Sequence, residues 1–107
     1  MDNKGKKSQD IDALKKHRRE FLQRTEEDDL SLQRRIQEMC NRSEQITAGN
    51  VQLKWLMEES IQELRFQKQN IANQRDEYLR ELDRKIKTME KEKEDALWEE
   101  KKKAVAQ

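Results

Sequence analysis

Residues able to do chemistry are few in this chain and do not converge. There is one histidine, His17, and one cysteine, Cys40. Zinc takes about four nitrogen or sulfur ligands, so no zinc site within a single chain is expected from this pair. Cys40 has no internal disulfide partner and is read as a packed small residue in a reducing compartment. Carboxylates are plentiful, but tuning two of them for acid–base work needs a concave, water-poor pocket. A single helix offers none. The sequence also lacks a glycine-rich phosphate loop and a nucleophile elbow. We therefore expect no catalysis, no cofactor and no metal.

The run Lys15-Lys16-His17-Arg18-Arg19 is the one concentrated charge feature near the N-terminus. Such a run can read phosphate or serve nuclear import. It is followed by Glu26-Glu27-Asp28-Asp29, which repels phosphate, and it lacks the asparagine and small residues that a zipper-type basic region sets on base edges. The plain reading is a solvated helix face. Lys+Arg number 24 and Asp+Glu 23, so there is no basic excess to drive nucleic-acid binding.

Composition narrows the architecture. Of 107 residues, 32% are hydrophobic and 44% charged, with no proline and two glycines. A compact domain needs close to half of its residues apolar. The choice is then between disorder and an elongated helix with a narrow buried stripe. Near-neutral charge and abundant Glu, Lys, Gln, Arg and Leu favour the helix. No apolar run approaches a membrane span, and the start has neither a secretory core nor a myristoylation glycine. A cytoplasmic protein, cytoskeleton-associated by analogy, is the default expectation.

The dominant pattern runs from Leu32 to Ile71. Ile36, Ser43, Asn50, Met57, Leu64 and Ile71 fall at heptad position a. Leu32, Met39, Ile46, Leu53, Ser60 and Gln67 fall at d. This unbroken three-four spacing is that of a coiled coil. The expected oligomer seam is Leu32, Ile36, Met39, Ile46, Asn50, Leu53, Met57, Leu64 and Ile71, with Asn50 fixing register. After Ile71 the phase moves by one residue, to Leu79, Leu82, Ile86, Met89 and Ala96.

Two places invite a break. Thr25 followed by acids resembles a fresh helix cap; with no glycine or proline before it, continuity is expected. Gly49-Asn50 is the chemistry of a helix end and a new cap. A hairpin with arms near 11–47 and 51–103 is the alternative there. The heptad crosses the site in phase, which favours a continuous helix.

Off the seam, Leu56 (g) and Ile61 (e) widen the apolar face, and a parallel pair would set Leu56 against Ile61 and Glu63 against Lys68. Val51, Trp55 and Phe66 share a third face, on the side away from the seam. Val51, Trp55, Leu56, Ile61 and Phe66 are thus the expected partner-docking residues.

The fold class expected is all-α: a long coiled-coil helix with Gly49-Asn50 as the point of interruption or fold-back. The expected organisation is a flexible basic tail (1–10), a heptad coiled coil (11–78) carrying the docking segment 51–66, a charged helical extension (79–103) and a short tail (104–107). In periodicity and composition, residues 11–100 resemble the generic long coiled coils of cytoskeletal, centrosomal and ciliary assemblies. The function expected is a non-enzymatic scaffold that binds other helical proteins or itself, as a homodimer or a heteromeric bundle. The alternative is a nucleic-acid or acidic-surface binder through residues 4–19, whose affinity would fall steeply with salt. A membrane tether of the vesicle-fusion type is a third, weaker reading, and it needs a partner to supply the anchor.

Overall fold

The computed structural model describes residues 3–46 and 49–106. It consists of two helices, α1 (Asn3–Gln45) and α2 (Val51–Ala106). The all-α class is as expected, but the continuous helix favoured above gives way to the fold-back alternative. Of the segment between the helices, Thr47 and Ala48 lie outside the described residues.

Local chemistry accounts for the break. At the end of α1, the Ile46 amide donates to the Ser43 carbonyl at 3.3 Å, a tightened last turn that satisfies an otherwise free carbonyl. Asn50 then caps α2. Its Oδ1 accepts from the Leu53 amide at 3.2 Å, and its carbonyl accepts from the Lys54 amide at 3.1 Å. That is the bonding of an N-cap asparagine. Asn50 is exposed and bonded to its own backbone, so it is not a polar layer in a seam. Gly49 has no positive φ, and a Cβ built on it would meet nothing within 4 Å. The reversal therefore does not depend on glycine's left-handed freedom.

α1 runs through Thr25 without a break, the continuity expected there. The Thr25 hydroxyl donates back to the Leu22 carbonyl at 3.0 Å, which keeps a β-branched polar residue inside the helix. Helix extends further than expected at both ends: the flexible basic tail expected over 1–10 is helical from Asn3, and α2 reaches Ala106.

The chain divides into two units: Met1–Phe21 with Glu77–Gln107, and Leu22–Asp76. In each unit a stretch of α1 lies antiparallel to a stretch of α2. In the first, Lys15 pairs with Glu90 and Arg18 with Asp83. Ile11, Leu82 and Ile86 are buried there, with Leu14, Phe21, Leu79 and Met89 half-buried. Residues 79–103 are thus one side of a packed pair rather than a free charged extension.

In the second unit α1 presents Leu32, Ile36, Met39, Ser43 and Ile46, all buried or half-buried. These are the heptad positions of the sequence. On α2 the covered positions are Met57, Ile61, Leu64, Lys68, Ala72 and Arg75. The seam expected from the sequence was one between chains; within the chain α2 presents a different stripe to α1. Ile61, expected to dock a partner, is 6% exposed and packs within the chain. Leu53 and Ile71, expected in the seam, are 44% and 54% exposed. The one-residue phase change placed after Ile71 has therefore begun by Ile61. Two charged residues conceal it. Lys68 and Arg75 cover the seam with their aliphatic stems and carry their charges outward. The Lys68 ammonium donates to Gln33 Oε1, and Arg75 Nε lies 3.6 Å from Asp76 Oδ1.

Candidate functional site: the outer faces of α2

The apolar surface of the second unit is distributed unevenly. Among its described residues the exposed large hydrophobics are Leu30 on α1 and Val51, Leu53, Trp55, Leu56, Phe66 and Ile71 on α2. α1 spends nearly all its apolar residues on the seam, whereas α2 has apolar residues left over. They form two faces. Val51, Trp55 and Phe66 lie within about 60° of one another at about 100° per residue. Trp55 is 57% and Phe66 66% exposed. Leu53 and Ile71 lie roughly 60°, and Leu56 roughly 120°, round from the side facing α1, on the flank away from Val51. Among the expected docking residues, the structure thus leaves Val51, Trp55, Leu56 and Phe66 open and withdraws Ile61.

Along one flank of the seam lies an open groove of about 310 Å³ lined by Gln33, Ile36, Cys40, Arg65, Lys68 and Ala72 among others. Arg65 Nη2 donates to Cys40 Sγ at 3.7 Å, and Cys40 is a free, half-buried thiol. Its polar lining is partly bonded to itself, Arg65 to Cys40 and Lys68 to Gln33, and is not a set of polar groups converging on a ligand. Among the described residues no group of three or more His, Cys, Asp or Glu could hold a metal ion. No described helix is long and apolar enough to cross a membrane.

The basic run behaves as a helix surface with partners. Lys15 Nζ lies 2.9 Å from Glu90, and Arg18 grips Asp83 through Nε at 2.7 Å with a second contact from Nη2 at 3.4 Å. Lys16 stands 4.0 Å from Glu20 one turn on. Half-exposed pairs of this kind contribute at most about 1 kcal/mol each, yet they set acids among the cations that a phosphate would need. His17 belongs to a small ring cluster. Its Nε2 shares a 2.8 Å hydrogen bond with the Tyr78 hydroxyl, and Phe21 stacks obliquely on Tyr78 at 4.6 Å between centroids.

Sequence reasoning did not single out Trp98, which is exposed near the end of α2. Nor did it place Lys68 and Arg75 in a seam. The available signal for those two was phase: Leu79, Leu82 and Ile86, extended backwards at three-four spacing, pass through Arg75, Ala72 and Lys68.

The sequence matches no protein-family model, and neither a curated protein nor a solved structure matches the chain.

Proposed function

We propose that this protein is a non-enzymatic helical scaffold, which pairs its two helices with each other and offers the outer faces of α2 to helical partners. The observation that carries this reading is the asymmetry of exposed apolar surface: Val51, Leu53, Trp55, Leu56, Phe66 and Ile71 all stand on α2, against Leu30 alone on α1 of the same unit. A helix that is apolar on several faces is normally covered on several faces. Tryptophan and phenylalanine on an open face are the residues that most often anchor a protein interface. A cytoplasmic assembly of coiled-coil proteins, of the cytoskeletal, centrosomal or ciliary kind, is the setting this fits. A reducing cytoplasm also suits the lone thiol of Cys40.

The test is a comparison of the wild-type chain with Trp55→Gln/Phe66→Gln. Circular dichroism should show equal helicity, and the unfolding free energy should change by less than about 0.5 kcal/mol, as for open surface sites. Helical proteins retained by the immobilised wild type from cell extract should be lost from the variant, and retention should survive high salt. Equal capture by both chains would refute the role of this face. Capture that collapses with salt and on deleting residues 1–24 would instead support binding through the basic run.

A further inference from the structure

α2 carries a second heptad stripe that it uses only in part against α1. Leu53, Ser60, Gln67 and Gln74 recur every seventh residue, and Met57, Leu64 and Ile71 fill the alternate positions. All seven are uncharged in a chain whose charged fraction is 44%. The side of α2 turned towards α1 includes Lys68 and Arg75. The stripe facing outward is therefore poorer in charge than the stripe facing inward, and a merely solvated face has no reason to exclude charge. Met57 and Leu64 belong to both stripes and are half-buried. The outward seam is thus continuous with a helix–helix interface already formed, as in a bundle helix that has two neighbours.

From this we infer that the outward stripe takes the same stripe of a second copy of this chain, with the two α2 helices parallel and in register. The scaffold reading is shared only in making α2 an interaction helix; the residues here are not Trp55 and Phe66. The polar members of the stripe select the occupant. In a parallel in-register pair, a meets a and d meets d. Leu53, Met57, Leu64 and Ile71 then meet their own equals, and so do Ser60, Gln67 and Gln74. A glutamine carboxamide both donates and accepts, so it can satisfy its own copy across the layer. In an antiparallel pair, a meets d, and each of Ser60, Gln67 and Gln74 is buried against Met57, Leu64 or Ile71 with no bonding partner. A foreign helix with a wholly apolar seam leaves the same three groups unbonded.

The experiment uses the full chain carrying Cys40→Ser with a single new thiol at Ser60→Cys, or at Gln62→Cys on the other flank of α2 as control. Light scattering should give twice the mass of one chain. In a glutathione redox buffer Ser60→Cys should form an interchain disulfide at least ~10-fold faster than Gln62→Cys. Gln67→Glu, which sets two carboxylates face to face, should raise the dimer dissociation constant by about tenfold or more, at unchanged helicity. A chain that stays monomeric, leaving the stripe to another protein, overturns the proposal. So does a dimer in which Ser60→Cys reacts no faster than Gln62→Cys, or one that Gln67→Glu leaves intact. Trp55→Gln/Phe66→Gln should remain dimeric, so that loss of outside partners and loss of the dimer are read separately.

Discussion

Ile61 and Ile71 have the same side chain and opposite surroundings. Ile61 is closed in between the helices, whereas Ile71 stands open on the neighbouring flank. Truncating a buried isoleucine removes its transfer free energy and leaves a void. Ile61→Ala should therefore lower the unfolding free energy by about 2 kcal/mol, the low end of the usual range because a two-helix seam is narrow. Ile71→Ala, measured in dilute solution where chains are separate, should change it by less than about 0.5 kcal/mol, since alanine is also the better helix former. Urea unfolding of the two variants gives the comparison. The heptad read from sequence alone implies the reverse order. Position a was correctly apolar at both Met57 and Leu64, but alternation in a sequence shows which faces avoid charge, not which of them another helix covers. Lys68 and Arg75 hid the true seam, because a long cationic side chain reads as surface while its stem fills a contact.

At the level of the elements, the decisive feature is the start of α2. Asn50 satisfies the Leu53 amide with its side chain, and Gly49 adds neither a left-handed backbone nor a close approach. The two residues should then respond differently. Asn50→Ala removes the cap and should cost about 1 kcal/mol. Gly49→Ala should keep the hairpin and stabilise it by about 0.4–1 kcal/mol, through the smaller conformational freedom of the unfolded chain. Thermal unfolding followed by circular dichroism separates them; destabilisation by Gly49→Ala would mean that the turn needs glycine after all. The all-α class and the apolar stripe of Leu32, Ile36, Met39 and Ile46 were readable in the sequence, because propensity and spacing agree there; that α2 of the same chain covers the stripe was not, since it was assigned to an oligomer. The fold-back at Gly49-Asn50 was readable only as an alternative. An in-phase heptad argues for continuity, and a capping asparagine and a register-setting asparagine are the same residue in a sequence. They differ in whether the side chain bonds the backbone three residues on, as Asn50 does.

For the molecule as a whole, one uncharged heptad running through Leu32 to Gln74 is put to two uses. The half on α1 closes against α2 within the chain. On α2 only Met57 and Leu64 of it meet α1; Leu53, Ser60, Gln67, Ile71 and Gln74 stand open, and it is there that association is proposed. Both depend on the chain reversing between Gln45 and Val51. That reversal is tested most directly by one distance. In a Cys40→Ser chain, spin labels at Gln37→Cys and Gln69→Cys, diluted into excess unlabelled protein, report the separation of α1 and α2 within a single molecule by pulsed electron resonance. Gln37 and Gln69 line the same groove, and packed helices lie about 8–10 Å apart axis to axis. The expected result is a single short distance, under about 25 Å once the label arms are included. A distance near 48 Å, the rise of an unbroken helix over that stretch at about 1.5 Å per residue, would contradict the fold-back and return the α2 half of the heptad to a continuous seam.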